Sequence, residues 1–308
     1  MSRLKYFPFG KQFDLKMGTS FFKEGDDLIE IDEHYRKEIA QKREILAGDH
    51  RYYYRSSPET EAAQWDVVAV VLDDMARSHP SSFKLTKNGK DWHWKNELLN
   101  EDVKFVFGDA STLPYEPLDW VGRQTQEDLV ILGSDANVSL VAGQLCFANG
   151  FSLDDKYGQP FLTIHAPAPK MIGPTMDAAQ KLIERLPSLR PIWRASWNFK
   201  ISDELDLTSR HNARYKIEMD GIVPTLTEEN IGEKIYIRIE RQTLTRLPTG
   251  CVLFGIHTYI NLLADECSDK DRADSMLKVL KSTPREMLNY KAISPFEDAL
   301  LSYLANHC

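Results

Sequence analysis

KIYIRIERQTLTRLPTGCVLFGIHTYIN, residues 234–261, alternates apolar and polar side chains, breaks at Pro248-Thr249 and then resumes its apolar run. That is the pattern of a β-hairpin. At period two, Ile235, Ile237 and Ile239 fall on one side, which puts Tyr236, Arg238, Glu240 and Gln242 on the other. A two-residue turn centred on Pro248 and Thr249 pairs residues whose numbers sum to 497, setting Glu240 opposite His257 and Arg238 opposite Tyr259. A slip of one residue would undo that pairing. The polar face has two readings: the solvated outside of an antiparallel sheet, or the wall of a pocket in which Glu240 supplies a negative charge. Beyond the turn, Val252, Phe254 and Ile256 on one side and Leu253 and Gly255 on the other are mostly apolar, so both faces are expected to be covered. A carboxylate in such a place needs a cation, a hydrogen-bond donor or a ligand.

The same texture extends over the middle of the chain. EDLVILG, the turn SDAN and VSLVAGQLCFA read as a second hairpin, and FLTIHA and IWRASWNFKI read as further strands, with one helix, TMDAAQKLIERL, between them. In IWRASWNFKI, Trp193, Ala195, Trp197 and Phe199 alternate with Arg194, Ser196, Asn198 and Lys200. The aromatic side reads as core, and Arg194 could reach the cavity of Glu240.

Around this sheet the pattern is helical. DEHYRKEIAQKREILAG runs from a capping Asp32 to Gly48, and SPETEAAQWDVVAVVLDDMARSHP starts at Ser57 with Pro58 in the first helical position. Its Ala62, Trp65, Val68, Leu72 and Met75 recur at three- and four-residue steps, as one buried stripe. TPRE and SPFE near the C-terminus each place a capping hydroxyl three residues before a glutamate. The expected fold is a single α+β domain: a mainly helical segment over 1–125, an antiparallel-sheet core over 126–262 and helices over 263–308.

Composition removes several classes of function. The 38 Lys and Arg against 46 Asp and Glu leave a net charge of −8 without a basic stripe, so nucleic acid is not an expected partner. The start lacks a signal-peptide core and no stretch approaches the roughly eighteen apolar residues of a membrane span, so a cytoplasmic protein is expected. Cys146, Cys251, Cys267 and Cys308 are far apart, which argues for reduced thiols and against a zinc site or a cysteine-held iron–sulfur cluster. No dinucleotide, Walker, zinc-protease or nucleophile-elbow motif is present.

FLTIHAPAP, residues 161–169, sets one histidine ahead of two X-Pro steps. Proline fixes its own φ and restricts the residue before it, so the chain leaving His165 is expected to be extended and stiff. Either the prolines end an edge strand, or they aim His165 at something.

Taken together, YFPFGKQFDLKMG, IEIDEHY, QEDLVIL, LCFANGFSLDDKYGQPFLTIHAPAP, WRASWNF and RIERQTLTRLPTGCVLFGIHTYI resemble the alpha subunit of the haem-dependent oxidative N-demethylases, the dimethylamine monooxygenase family. MGT replaces an expected MGL, and Ala168 an expected valine. The resemblance implies a PAS-like haem domain turned oxygenase, taking a small secondary amine and O₂ to the primary amine and formaldehyde. It implies His165 as the axial iron ligand, with His257 and then His211 as the next candidates. Glu240 would hold the substrate ammonium, and Arg194 or Arg238 would act on the oxygen. Electrons would come from NADPH through FMN and a [2Fe–2S] centre on partner subunits. Two other classes share parts of this pattern: a haem-binding gas or redox sensor, and a binding module without catalysis.

Overall fold

The hairpin expected over 234–261 forms, one residue out of the expected register. Strands β1 Ser20–Phe21, β2 Tyr54–Ser56, β3 Phe83–Asn88, β4 Asp91–Asn96, β5 Glu101–Val106, β6 Asp128–Leu132, β7 Leu140–Gln144, β8 Ile192–Lys200, β9 Tyr236–Arg246 and β10 Val252–Leu262 are present in the computed structural model. It describes residues 4–16 and 18–308; Met17 of the MGT step lies outside the described residues. In the β9–β10 ladder Arg246 pairs with Val252, Glu240 with Thr258, and Arg241 with His257. The pairing numbers therefore sum to 498.

The cause is Gly250. Its φ of +89° adds a third residue to the loop, and its N–H closes on the Leu247 carbonyl at 2.9 Å, while Leu247 N donates to Cys251 O at 2.8 Å. Three-residue hairpins characteristically end on a left-handed residue, a position that favours glycine. Gly250→Ala is expected to lose about 1–2 kcal/mol in urea unfolding. The nearest atom to an added Cβ, in Ser134, is 3.7 Å away, so the loss would be conformational and not steric.

β1-β8-β9-β10-β6-β7-β2 form one antiparallel sheet, and β3-β4-β5 form a separate meander. Both faces of the large sheet are covered, as expected. On one, the isoleucine face, Ile237 and Ile239 are fully buried with Trp197 and Phe199 against Met276, Leu280, Leu300 and Leu304 of the C-terminal helices. Further along that face Leu129, Ile131 and Leu253 join Val68, Leu72, Met75 and Trp94. Each such side chain contributes about 1.5–3 kcal/mol by leaving water. On the other, the arginine face, Val130, Ile192, Leu244 and Ile256 pack under Phe161, Ala179 and Ile183.

The helices expected at 32–48 and 57–80 occur as Tyr35–Tyr53, with non-helical φ/ψ at Asp49, and as Glu61–Ser78 after a 3₁₀ turn at Pro58–Thr60. Ala63 is buried in the place expected for Ala62, which is exposed. Neither Thr283 nor Ser294 caps its helix through a side chain.

Besides its helices, the segment over 1–125 contains a hairpin that was not expected: FKLTKNGKDWHWKN forms β3 and β4 around Gly89, whose φ of +60° suits the first central residue of a tight hairpin turn. Phe83 stacks on Trp94 at 5.6 Å and anchors this meander to the Glu61–Ser78 helix. FLTIHA is a helix, Phe161–His165, not a strand. Ala166, before Pro167, keeps helical φ/ψ of −55° and −30°, so burial of Phe161 overrides the usual proline restriction.

Candidate functional site

On the arginine face, β8 presents Arg194, Ser196, Asn198 and Lys200 beside β9, with Ser196 paired to Glu240, Asn198 to Arg238 and Arg194 to Gln242. Glu240 thus stands between Ser196 and Thr258. It takes a hydrogen bond from Gln242 Nε2 at 3.2 Å and lies 3.5 Å from Arg238 Nε.

Arg238 is 1 % exposed and anchored: its guanidinium donates to the carbonyls of Glu204 and Leu205, each at 3.2 Å, to the Phe147 carbonyl, and to Thr258 Oγ1 at 3.3 Å. Arg194 is not anchored. Among the described residues it has no ion pair within 4 Å, and its buried Nε lacks a hydrogen-bond partner. Burial lowers its pKa while the charge of Glu240 opposes that shift.

Two lysines complete the cluster. Burial lowers Lys200 to about 8, with Arg238 acting in the same direction and Glu240 against it. Lys291, from the C-terminal helices, donates from Nζ to Trp197 O at 2.6 Å and sits 4.2 Å from the Trp197 ring centroid. Burial brings it, too, down to about 8. One carboxylate therefore stands among Arg194, Arg238, Lys200 and Lys291.

His165 ends the Phe161–His165 helix near this cluster. Its Nδ1 faces the Phe161 carbonyl at 2.8 Å, and a carbonyl only accepts, so Nδ1 carries the proton and Nε2 keeps its lone pair. Burial, then the charges of Lys156 and Arg194, lower its pKa and favour the neutral ring. Among the described residues Nε2 has no hydrogen-bond partner.

His257 belongs elsewhere. The true register sets it beside Arg241 on the isoleucine face, with Nδ1 3.0 Å from Glu127 and Nε2 3.5 Å from Asp32. Burial opposes its charge, but Glu127 and Asp32 outweigh burial and raise its pKa to about 10. A charged ring between two carboxylates offers no lone pair to a metal. His211 Nε2 lies 3.1 Å from Asp206.

The network around His257 was not anticipated in detail, although its residues come from the quoted motifs. Glu30 of IEIDEHY accepts from Tyr6 at 2.6 Å and from Tyr259, and Gln126 of QEDLVIL bridges Asp32 at 2.8 Å to Glu38 at 2.7 Å. Lys42 donates to the Glu127 carbonyl at 2.6 Å. A period-two charge pattern on both faces of one hairpin was the available signal, since only one of those faces could be solvated.

At the outer edge of β8 lies a cavity of about 660 Å³, walled by the segment Tyr6–Lys16 and by Met176, Trp193, Arg194, Trp197 and Lys291. Among the described residues no three His, Cys, Asp or Glu side chains converge as a metal site, and no helix is long and apolar enough to cross a membrane.

The model of a family described as haem-dependent oxidative N-demethylase, alpha subunit-like, matches residues 22–301. The chain belongs to that family. Haem dependence and oxidative N-demethylation are the properties the family description carries, and an alpha subunit implies further subunits. The residues present fit a haem. His165 offers a neutral nitrogen with an available lone pair, and Arg194 and Lys200 provide positive charge for the carboxylates that a haem carries.

Proposed function

We propose that this chain is the haem-binding catalytic subunit of a monooxygenase that converts a small secondary amine such as dimethylamine to the primary amine and formaldehyde. The observation that carries the reading is the joint placement of His165, Arg194 and Glu240: Arg194 lies within electrostatic reach of both the other two. The order of the five central strands, β8-β9-β10-β6-β7, supports a PAS-like core.

His165 Nε2 would hold the iron, and the Nδ1–H to Phe161 bond would keep the ring in the required tautomer. Haem, when bound, supplies the activation of O₂ by two external electrons. Glu240 would hold the ammonium group of the substrate through a charge-assisted hydrogen bond, selecting a cationic amine over a neutral isostere. Arg194 would give positive charge to the oxygen substrate, while Arg238, fixed by carbonyls, would hold Glu240 in place. NADPH, FMN and a [2Fe–2S] centre on partner subunits would deliver the electrons, as the family resemblance implies.

The test is an optical titration of the haem-loaded chain with dimethylamine. A saturable shift of the Soret band is expected. Glu240→Gln should retain haem and weaken this binding by about 1.5–3 kcal/mol, the range for a charged hydrogen bond. Amine affinity should also rise from about pH 7 to about pH 9, as Lys200 and Lys291 lose their competing charges. An unaltered titration in Glu240→Gln would remove Glu240 from the substrate site. A haem sensor is the second reading, favoured by one observation: Glu240 is already engaged by Gln242 and Arg238. A Soret band that does not respond to the amine would select it.

A further inference from the structure

The network on the isoleucine face holds ionisable groups that neither the amine nor the haem chemistry uses. Its centre is Glu30, a buried carboxylate addressed by two tyrosines: Tyr6 donates to Oε1 at 2.6 Å, and Tyr259 donates to Oε2. Lys5 donates to Oε1 as well, and Arg241 Nε lies 3.6 Å from Oε2. Burial alone would raise the pKa of Glu30, but the charge of Arg241 and the bonds from Lys5, Tyr259 and Tyr6 outweigh it and keep the carboxylate ionised. Both phenols shift the other way, raised by burial and then by the charge of Glu30, so both stay protonated at physiological pH.

Two phenols are more than charge balance requires. Lys5 and Arg241 already supply the counter-charge of Glu30. What the phenols add is a pair of oxidisable rings whose hydroxyl hydrogens point at a base within hydrogen-bond reach.

The rings also form a row. Tyr259 lies 5.6 Å from Tyr6, and Tyr6 lies 5.1 Å from Trp193, centroid to centroid. Rings in such contact exchange electrons readily, because their π-systems nearly touch. On the inner side the row ends at His257, which stacks on Tyr259 at 4.3 Å and is far harder to oxidise than a phenol. On the outer side Trp193 lines the cavity at the edge of β8 together with Arg194 of the cationic cluster. The row therefore opens toward the arginine-face site.

We propose that Tyr6, Tyr259 and Glu30 form a one-electron redox site, reached through Trp193, that lends an electron to the haem when the haem is oxidised with no amine in place. In that step a phenol O–H bond breaks and its proton passes to Glu30, while one electron leaves through Trp193 to a haem oxidised by peroxide. The products are a neutral phenoxyl radical, a neutral Glu30 and a haem reduced by one electron. Both phenols depend on the same carboxylate, so the site holds one oxidising equivalent at a time. Its use rests on the haem reading; the redox site itself does not.

Light and persulfate with a tris(bipyridine)ruthenium sensitiser oxidise the haem-free whole chain by one electron, and electron paramagnetic resonance of frozen samples reads the radical. A tyrosyl signal is expected, narrowed when the tyrosines carry ring deuterium. It should be lost when Tyr6→Phe and Tyr259→Phe are combined, at unchanged far-ultraviolet circular dichroism. It should persist in Tyr53→Phe, since Tyr53 donates to Asp206 at 2.6 Å but its ring packs on Tyr52 and not on this row. Glu30→Gln removes the base and should slow radical formation by about a hundredfold. The phenylalanine pair covers the case in which Glu30→Gln does not fold. A signal of unchanged size in the pair, or parental kinetics in Glu30→Gln, would overturn the proposal. The sensitiser stands in for haem, so these results hold whatever the amine titration gives. Hydrogen peroxide added to the haem-loaded chain without amine should raise the same signal, and Trp193→Phe should delay it. A radical made by light but not by peroxide would overturn the use of the pair as an electron reserve, while leaving the amine reading intact.

Discussion

His165→Ala should lose haem from an otherwise folded chain. The ring lies at the end of a five-residue helix, and its contacts within the fold are one hydrogen bond to its own turn and the face of Phe161 at 4.4 Å. Removing it takes little from the core, because Phe161 remains buried among Ala179 and Ile183. It would remove the one histidine nitrogen near the cationic cluster that carries an available lone pair. The expected result is an unchanged circular dichroism spectrum, an unfolding midpoint close to that of the parent, and a Soret band that is lost or washes out on gel filtration. His257→Ala provides the opposite pattern, since its ring is committed to Glu127 and Asp32. If His165→Ala keeps an unchanged visible spectrum, the ligand is another residue and the placement of haem over the arginine face is wrong.

That contrast shows what the sequence could and could not tell. Both hairpins of the large sheet, the covered state of both faces and the segregation of Ile237 and Ile239 from Arg238 and Glu240 follow from period-two patterning, which depends on alternation alone. Register depends on the loop, and there a single φ decides. Without the left-handed state of Gly250 a two-residue turn was an equally good reading of Pro248-Thr249-Gly250, and it carried His257 to the face of Glu240. The β3–β4 hairpin was legible in the Asn88-Gly89 pair and was missed because the flanking strands are polar and short. FLTIHA was not legible: its alternation fits a strand, and only the packing of Phe161 against the Gly173–Arg185 helix selects one turn of helix. Of the candidate residues, His165, Arg194, Arg238 and Glu240 converge, because Arg194 on β8 and Arg238 and Glu240 on β9 share one face of the sheet and His165 lies on the helical cover.

His257 should prove one of the most costly side chains in the protein to remove. It is completely buried, and its charge compensates Glu127 and Asp32 with Glu38 close by. Deleting one partner from a buried ionic network strands the others, at a cost of about 3–5 kcal/mol. His257→Ala should therefore lower urea stability by that amount, while His257→Gln, which keeps a hydrogen-bond donor but not the charge, should recover only part of it. The pH dependence gives a sharper test than the size of the loss. The folded pKa of His257, about 10, lies above its ordinary 6.5, so its contribution is fully present below about 6.5 and is lost as the pH rises through 10. Asp32 is held at about 2 from an ordinary 3.8, mainly by bonds to His257 and Gln126 that outweigh its burial. Its contribution is present above 3.8 and is lost as the pH falls through 2. The pair thus stabilises most between those limits, from about pH 4 to about pH 6.5, and the parent protein should weaken steadily from there toward pH 10. In His257→Ala this alkaline slope should flatten. The variant should also recover some stability in acid, because Glu38, whose pKa burial already raises, can then take up a proton and stay buried as a neutral carboxyl. Parent and variant stability curves running parallel from pH 6 to pH 10 would show that His257 is neutral in the folded protein, and that the carboxylates around it are balanced by Lys42 and Arg241 instead.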